Sequence, residues 1–115
     1  MELEIGGKMK ELKFNMRFVR KLDEFYKIEQ NGFEMGFGVN MAINALNMRS
    51  LSDLAKVIRS SVEGASNVLD VDKAIEQYAE ENGTLEPLFA GISEEMGKSA
   101  LLKATVEKFK TLGKE

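Results

Sequence analysis

Nineteen of the 115 residues are acidic, and several stand close enough together to invite carboxylate chemistry. They are Asp70 with Asp72, the run Glu76, Glu80 and Glu81, and Glu94 with Glu95. Two carboxylates flanking a sugar bond would serve glycoside hydrolysis, and clustered oxygens would hold a hard cation. The setting argues against both. None of these acids stands in an apolar stretch that would raise its pKa. Glu76 and Glu80 fall on the polar side of a helical repeat, where acids are ordinarily solvated. The alternating oxygen ligands and closing Glu of a calcium loop are absent. Histidine and cysteine are absent altogether. That removes Cys and His nucleophiles, His bases, the usual zinc sites, haem and iron–sulfur ligation, and disulfides. Gly32, Gly36 and Gly38 form a glycine-rich stretch, but no buried strand precedes it and no Lys-Ser/Thr follows, so it does not read as a phosphate cradle.

The remaining chemistry is contact chemistry. Arg17, Arg20 and Lys21, with Lys8, Lys10 and Lys13, could gather into a basic patch. Glu2, Glu4, Glu11, Asp23 and Glu24 interleave with them, and the net charge is -3. Phosphate backbones need a less neutralised field, so nucleic acid is not the expected partner. No run approaches the length of a membrane span. Met1-Glu2-Leu3-Glu4-Ile5 has neither the basic start nor the apolar run of a signal peptide. The composition, 43% hydrophobic and 30% charged, is that of a globular chain. Its length predicts a single domain over 1–115. The absence of cysteine fits a reducing cytoplasm.

Stepping along the chain, residues 2–14 read as a hairpin. Leu3 and Ile5 alternate with glutamates, Gly6-Gly7 is a turn, and Leu12 and Phe14 alternate with Glu11 and Lys13. A two-residue loop pairs Ile5 with Lys8 and Leu3 with Lys10, leaving Met9 on the far face. The period then becomes helical. Phe14, Phe18, Leu22, Phe25 and Ile28 form a stripe, with Asn15 as N-cap, Phe14 and Val19 as a staple, and Asn31-Gly32 as the stop. Further helices start near Val39, at Ser50 with Asp53 in a capping-box position, and at Asp70 or Asp72. The next is capped by Thr84 with Pro87 in its first turn, and the last by Ser99. The last apolar side is Leu101, Leu102, Thr105, Val106, Phe109 and Leu112. The fold class is therefore mainly α: a small helical domain with an N-terminal β-hairpin over about 2–14 and helices from about 15 to 112. Leu22, Phe25, Leu54, Ile58, Ile75, Phe89 and Val106 are the expected core.

Two features exceed what a core needs. Residues 32–38, Gly-Phe-Glu-Met-Gly-Phe-Gly, combine three glycines with Phe33, Met35 and Phe37. They read either as a turn whose aromatics fold back on the core or as an adaptable apolar contact surface. Seven methionines are present. Met16, Met41 and Met48 fall off the helical stripes, so they serve either as filling or as an exposed interface.

With these segments in view, the chain resembles the small tail assembly chaperones encoded by long-tailed phages and prophages of Gram-positive bacteria. The likeness runs from the hairpin Leu3–Lys13 into Phe14-Asn15, through Gly38-Val39 to Leu46 and Leu54 to Ile58. It is strongest at Glu80-Glu81-Asn82-Gly83-Thr84-Leu85-Glu86-Pro87-Leu88-Phe89, followed by Lys98-Ser99-Ala100-Leu101-Leu102-Lys103. Lys10 stands where related chains often carry an aromatic, and Ala100 where they often carry proline. The resemblance implies a non-enzymatic factor without cofactor, metal or small-molecule substrate. Such a factor keeps the tape measure protein soluble and helps tail tube protein subunits polymerise around it. It implies action in the host bacterial cytoplasm, absence from the mature virion, and self-association. It also implies a companion frameshifted form, with Gly113-Lys114-Glu115 suiting the end of a short form. The residues alone leave two rivals: a small protein-binding adaptor or structural head or tail component, and a carboxylate enzyme. The candidate protein-binding residues are Phe33, Met35 and Phe37.

Overall fold

The computed structural model describes residues 1–30, 33–63 and 67–113, with the backbone alone at 28–30, 33–36 and 109–113. The order is β1 (Glu2–Ile5), β2 (Lys8–Glu11), α1 (Met16–Phe25), β3 (Lys27–Gln30), β4 (Phe33–Gly36), α2 (Gly38–Asn47), α3 (Leu51–Ser61), α4 (Val68–Asn82), α5 (Glu86–Lys98) and α6 (Lys103–Gly113). The fold class is the expected one, mainly helical behind an N-terminal hairpin.

β1 and β2 pair antiparallel with Ile5 opposite Lys8 and Leu3 opposite Lys10, so the two-residue loop is correct. Gly6 and Gly7 both take positive φ, 61° and 80°, which glycine adopts without steric cost. Leu3, Ile5 and Leu12 are buried, whereas Met9 is 62% exposed on the other face. A lone hairpin is marginal in water, and this one is tied at its open end. The Leu12 N–H donates to the Met1 carbonyl at 2.9 Å, and Leu12 bridges to Val62 beyond α3. The Lys13 N–H takes the Ser61 carbonyl at 2.8 Å, and the Arg17 guanidinium takes the Val62 carbonyl. The last carbonyls of α3, which have no partner within the helix, are thus satisfied by the strand-to-helix connection. Met1 reaches α5 at Gly91, where a Cβ would lie 3.0 Å from its methyl carbon.

Asn15 caps α1, its side chain accepting from the Phe18 N–H at 3.0 Å. Phe14 packs edge-on against Phe18, with ring centroids 5.0 Å apart. The helix then ends at Phe25, well before Asn31-Gly32. Residues expected to complete its last turns form β3, which pairs with β4 through Ile28 opposite Met35 and Gln30 opposite Phe33. The helical reading of 27–30 is therefore corrected to a strand. Asn-Gly is a helix stop and also the strongest two-residue hairpin signal; the expected stop at Asn31-Gly32 itself lies outside the described residues. Phe25 is consequently not core: it is 36% exposed, with the Arg59 guanidinium 5.2 Å from its ring centroid.

α2 ends in a Schellman motif. The Ser50 N–H donates to the Ala45 carbonyl and the Arg49 N–H to the Leu46 carbonyl. The left-handed position is filled not by glycine but by Arg49, at φ 59°. Its side chain compensates. The guanidinium grips both oxygens of Glu86 at the start of α5, takes the Leu46 carbonyl at 2.7 Å, and lies 5.4 Å from the Phe89 ring centroid. α4 begins earlier than expected, because Asn67 rather than Asp70 or Asp72 caps it, accepting from the Leu69 N–H at 2.8 Å. It stops at Gly83, φ 74°, as the Asn82-Gly83 pair implies. The N-cap of α5 is Leu85 rather than Thr84, which stands one residue earlier and accepts from the Glu86 N–H; Pro87 falls in the first turn as expected. Ser99 takes the Leu102 N–H before α6.

One apolar cluster joins Phe18 and Leu22 of α1, Leu46 of α2, Leu54, Val57 and Ile58 of α3, Val71 of α4, and Leu88, Phe89, Ile92 and Met96 of α5. The hairpin closes one side and Leu102 and Val106 another. Of the expected core, Leu22, Leu54, Ile58, Phe89 and Val106 are buried, and Ile75 is half-buried against it. Leu101 is 48% exposed, so the last apolar stripe is narrower than its sequence suggests. Ile58 is fully buried, so Ile58→Ala is expected to cost about 2–5 kcal/mol in denaturant unfolding; a cost below about 0.5 kcal/mol is the surface result.

Candidate binding surface

The segment singled out for its glycines and aromatics lies between α1 and α2. Its backbone at 33–36 is a strand, not an open connection. Phe33 and Met35 have side chains outside the described residues. Phe37 is half-buried and sits at the N-cap of α2, with its carbonyl accepting from the Met41 N–H at 2.8 Å.

Both ends of this hairpin are anchored. At the far end, Asp23 Oδ1 accepts from the Gly38 N–H at 2.9 Å, serving an amide that α2 leaves free. A Cβ on Gly38 would lie 2.6 Å from the Leu22 carbonyl carbon and from its Cβ, so only glycine lets α2 start against α1. At the near end, the Tyr26 hydroxyl donates to Asp53 Oδ1, and the Ser50 hydroxyl donates to Asp53 Oδ2. The anticipated capping box is thus altered: Asp53 meets the Ser50 side chain rather than its backbone. The Lys56 ammonium lies 5.2 Å from the Tyr26 ring centroid and 3.8 Å from Asp53. Burial first, then the hydrogen bond to Asp53 and its charge, push the Tyr26 hydroxyl well above the ordinary phenol range. Burial would also raise the Asp53 carboxyl, but hydrogen bonds from Ser50 and Tyr26 and the Lys56 charge together outweigh it and hold it below the ordinary carboxylate range.

Outside this anchor the surface carries large apolar side chains. Met9, Met16, Met41 and Met48 are 62%, 48%, 43% and 73% exposed. Met9 lies on β2, Met16 opens α1, Met41 lies on α2 and Met48 is the C-cap residue of α2, so their positions are set while their side chains stay adaptable. Leu51, Val68 and Leu69 are also exposed. A recess of about 270 Å³ opens between α2, α5 and α6, floored by Ile43, Leu46, Met96 and Val106 and edged by Asn47, Ser93 and Glu94. Shallower grooves flank α4 on its β1 side and its α3 side. These features suit contact with apolar faces of another protein chain.

The acid pairs do not assemble into a reaction centre. Asp72, Glu76, Glu80 and Glu81 are exposed along α4, and Glu94 pairs with Lys98 at 3.0 Å. Among the described residues no group of three or more acids is placed to hold a metal ion. None of the described helices is long and apolar enough to cross a membrane. The residue that sequence reasoning missed is Arg49. Nothing in its type announces a left-handed turn, and its partner Glu86 lies 37 positions away.

Compared with protein families, residues 2–110 match the phage tail assembly chaperone protein family, and the chain belongs to it. No curated protein and no solved structure matches it.

Two outcomes follow from the anchor. Gly38→Ala should destabilise the fold by about 1–3 kcal/mol in urea unfolding, because the obstructing atoms belong to the Leu22 backbone and its Cβ, which cannot swing aside. The Asp53 pKa is depressed on folding, so its contribution is fully present above its unfolded value and disappears as pH falls through the lower folded one. Asp53→Asn should therefore lower stability at neutral pH and reduce the loss between about pH 5 and pH 2. Parallel unfolding curves across that range measure it.

Proposed function

We propose that this chain is a non-catalytic tail assembly chaperone that binds the tape measure protein and assists polymerisation of the tail tube protein around it. It acts as one domain in the host bacterial cytoplasm, associates with further copies of itself along the client, and is absent from the finished virion. The observation that carries the reading is the set of exposed methionines, Met9, Met16, Met41 and Met48, on ordered elements of a highly charged body. A long unassembled helical client exposes apolar patches that would aggregate. Unbranched, polarisable side chains held on a rigid frame can cover such patches without demanding one sequence. Membership of the family supports the assignment of class. The Phe33, Met35 and Phe37 segment is the client contact in this reading, because it combines apolar area with a tethered backbone.

Co-expression with the tape measure protein of the same phage tests it. The expected result is a soluble, co-purifying complex, and a client that stays insoluble overturns the reading. Recovery of the chain in purified virions favours a structural component instead. Phe33→Ala with Phe37→Ala should weaken capture by roughly tenfold or more, as loss of aromatic anchors does at interfaces. The thermal midpoint should change little. Full capture with a sharply lower midpoint makes these side chains core and moves the contact elsewhere.

A further inference from the structure

The groove between β1, β2 and α4 sets three carboxylates, more than either of the other two recesses, around an apolar floor. Its cavity measures about 230 Å³, with Leu3, Met9, Ala74 and the Tyr78 ring as apolar lining and Glu2, Glu4 and Glu81 as its carboxylates, beside Gln77. No lysine or arginine lines it.

Directly paired residues share a face, so Glu4 with Met9 and Glu2 with Glu11 point outward together. Lys8 and Lys10 pair with Ile5 and Leu3 on the other face; Leu3 reaches the groove from β1, whereas the two lysines, on β2, do not line it. The outer face is therefore three glutamates around one exposed methionine. Like charges directly opposed across strands destabilise a sheet, and among the described residues neither Glu2, Glu4 nor Glu11 has an ion-pair partner. Across the groove, α4 continues the same sign. Glu81 accepts from Gln77 at 2.9 Å, and Asp70 lies beside the turn, its carboxylate 3.4 Å from where a Gly6 Cβ would be. Lys73, the one basic residue of α4, does not line the groove. Asp70, just beyond the groove, and Glu81 stand eleven steps apart on α4, about 16 Å of helix or roughly three turns of a guest helix.

An apolar floor with an all-acidic rim defines its complement. Nucleic acid and anionic lipid surfaces are repelled by it. We infer that the β1–α4 groove docks a cationic amphipathic segment of the client, with an apolar side chain on Met9 and lysine or arginine over Glu2, Glu4 and Glu81. The inference rests on the chaperone reading and assigns one of its contacts to this surface. Binding uses the repulsion already present in the hairpin: a cationic guest relieves the Glu2–Glu11 opposition, so hairpin and guest stabilise each other.

The probe is a synthetic amphipathic helical peptide of about three turns, with leucine on one face and lysine on the other, beside a twin carrying glutamate for lysine. Titration calorimetry with the full chain should show the lysine peptide binding at least about tenfold tighter than the twin, with affinity falling as salt rises. Glu4→Lys with Glu81→Lys should reverse that preference, and Met9→Ser should weaken both peptides. Circular dichroism melts check that each variant folds. Equal affinities for the two peptides, or a preference unchanged by the charge reversal, overturn the inference. So does sedimentation showing that charge reversal abolishes self-association, because the groove is then a contact between copies. Capture of the tape measure protein by the charge-reversed variant separates the two levels. Undiminished capture together with an unreversed peptide preference removes the groove and leaves the chaperone reading intact. Failure of the unmutated chain to solubilise the tape measure protein removes that reading, whatever the peptides do.

Discussion

The closest approach that shapes the molecule is that of α2 onto α1 at Gly38. A side chain there would occupy the space of Leu22, which is itself fully buried. Because the two helices meet backbone to backbone, the 11 residues from Lys27 to Phe37 have to leave α1 and return to nearly the same place. A two-stranded hairpin does that, and a longer helix cannot. Asp23 secures the return by taking the Gly38 amide, and Tyr26 secures the departure through Asp53 at the start of α3. Leu22, Val39, Ala42 and Leu46 then fill one side of the core that α3 and α5 complete.

A second joint lies at the other end of α2. Arg49 holds a left-handed conformation that costs a non-glycine residue roughly 1–2 kcal/mol. Its pairing with Glu86 is solvent-exposed, so the charge attraction by itself contributes little. The bidentate geometry, the Leu46 carbonyl and the Phe89 ring instead fix the direction in which α5 leaves Thr84. The two joints keep the body ordered while methionines remain exposed on β2, α1 and α2. Such a division suits a protein that acts by contact. The frame determines where apolar area is presented, and flexible thioethers decide how it fits.

Local signals were legible wherever the deciding atoms lie within a few residues. The Asn15 cap, the Gly6-Gly7 turn, the Gly83 stop and Pro87 in a first turn depend on local backbone geometry and local hydrogen bonds. The exposure of Met16, Met41 and Met48 was foreshadowed by their positions off the stripes. Residues 26–36 were not legible. Tyr26 and Ile28 continue a helical stripe as well as they alternate in a strand, and Asn31-Gly32 ends a helix as readily as it turns a hairpin. Asn67, Asp70 and Asp72 are equally good caps by type, so residue type alone does not choose among them. Of the candidate contact residues, composition drew attention to the segment of Phe33, Met35 and Phe37, and the backbone pairing of 33–36 came from structure.

By itself the sequence determined that the chain is mainly helical, that it opens with a hairpin of known register, and that His and Cys chemistry is closed to it. It also carried the likeness to tail assembly chaperones, since that rests on an ordered series of local motifs. The end of α1, the second hairpin, the exposure of Phe25 and Leu101, and the left-handed Arg49 were decided only in three dimensions. Each depends on a partner distant in sequence: Leu22 against Gly38, Tyr26 with Asp53, Arg59 over Phe25, Arg49 with Glu86. Periodicity reports which side of an element is apolar, but packing against another element decides where that element stops and which of its apolar residues stay in water.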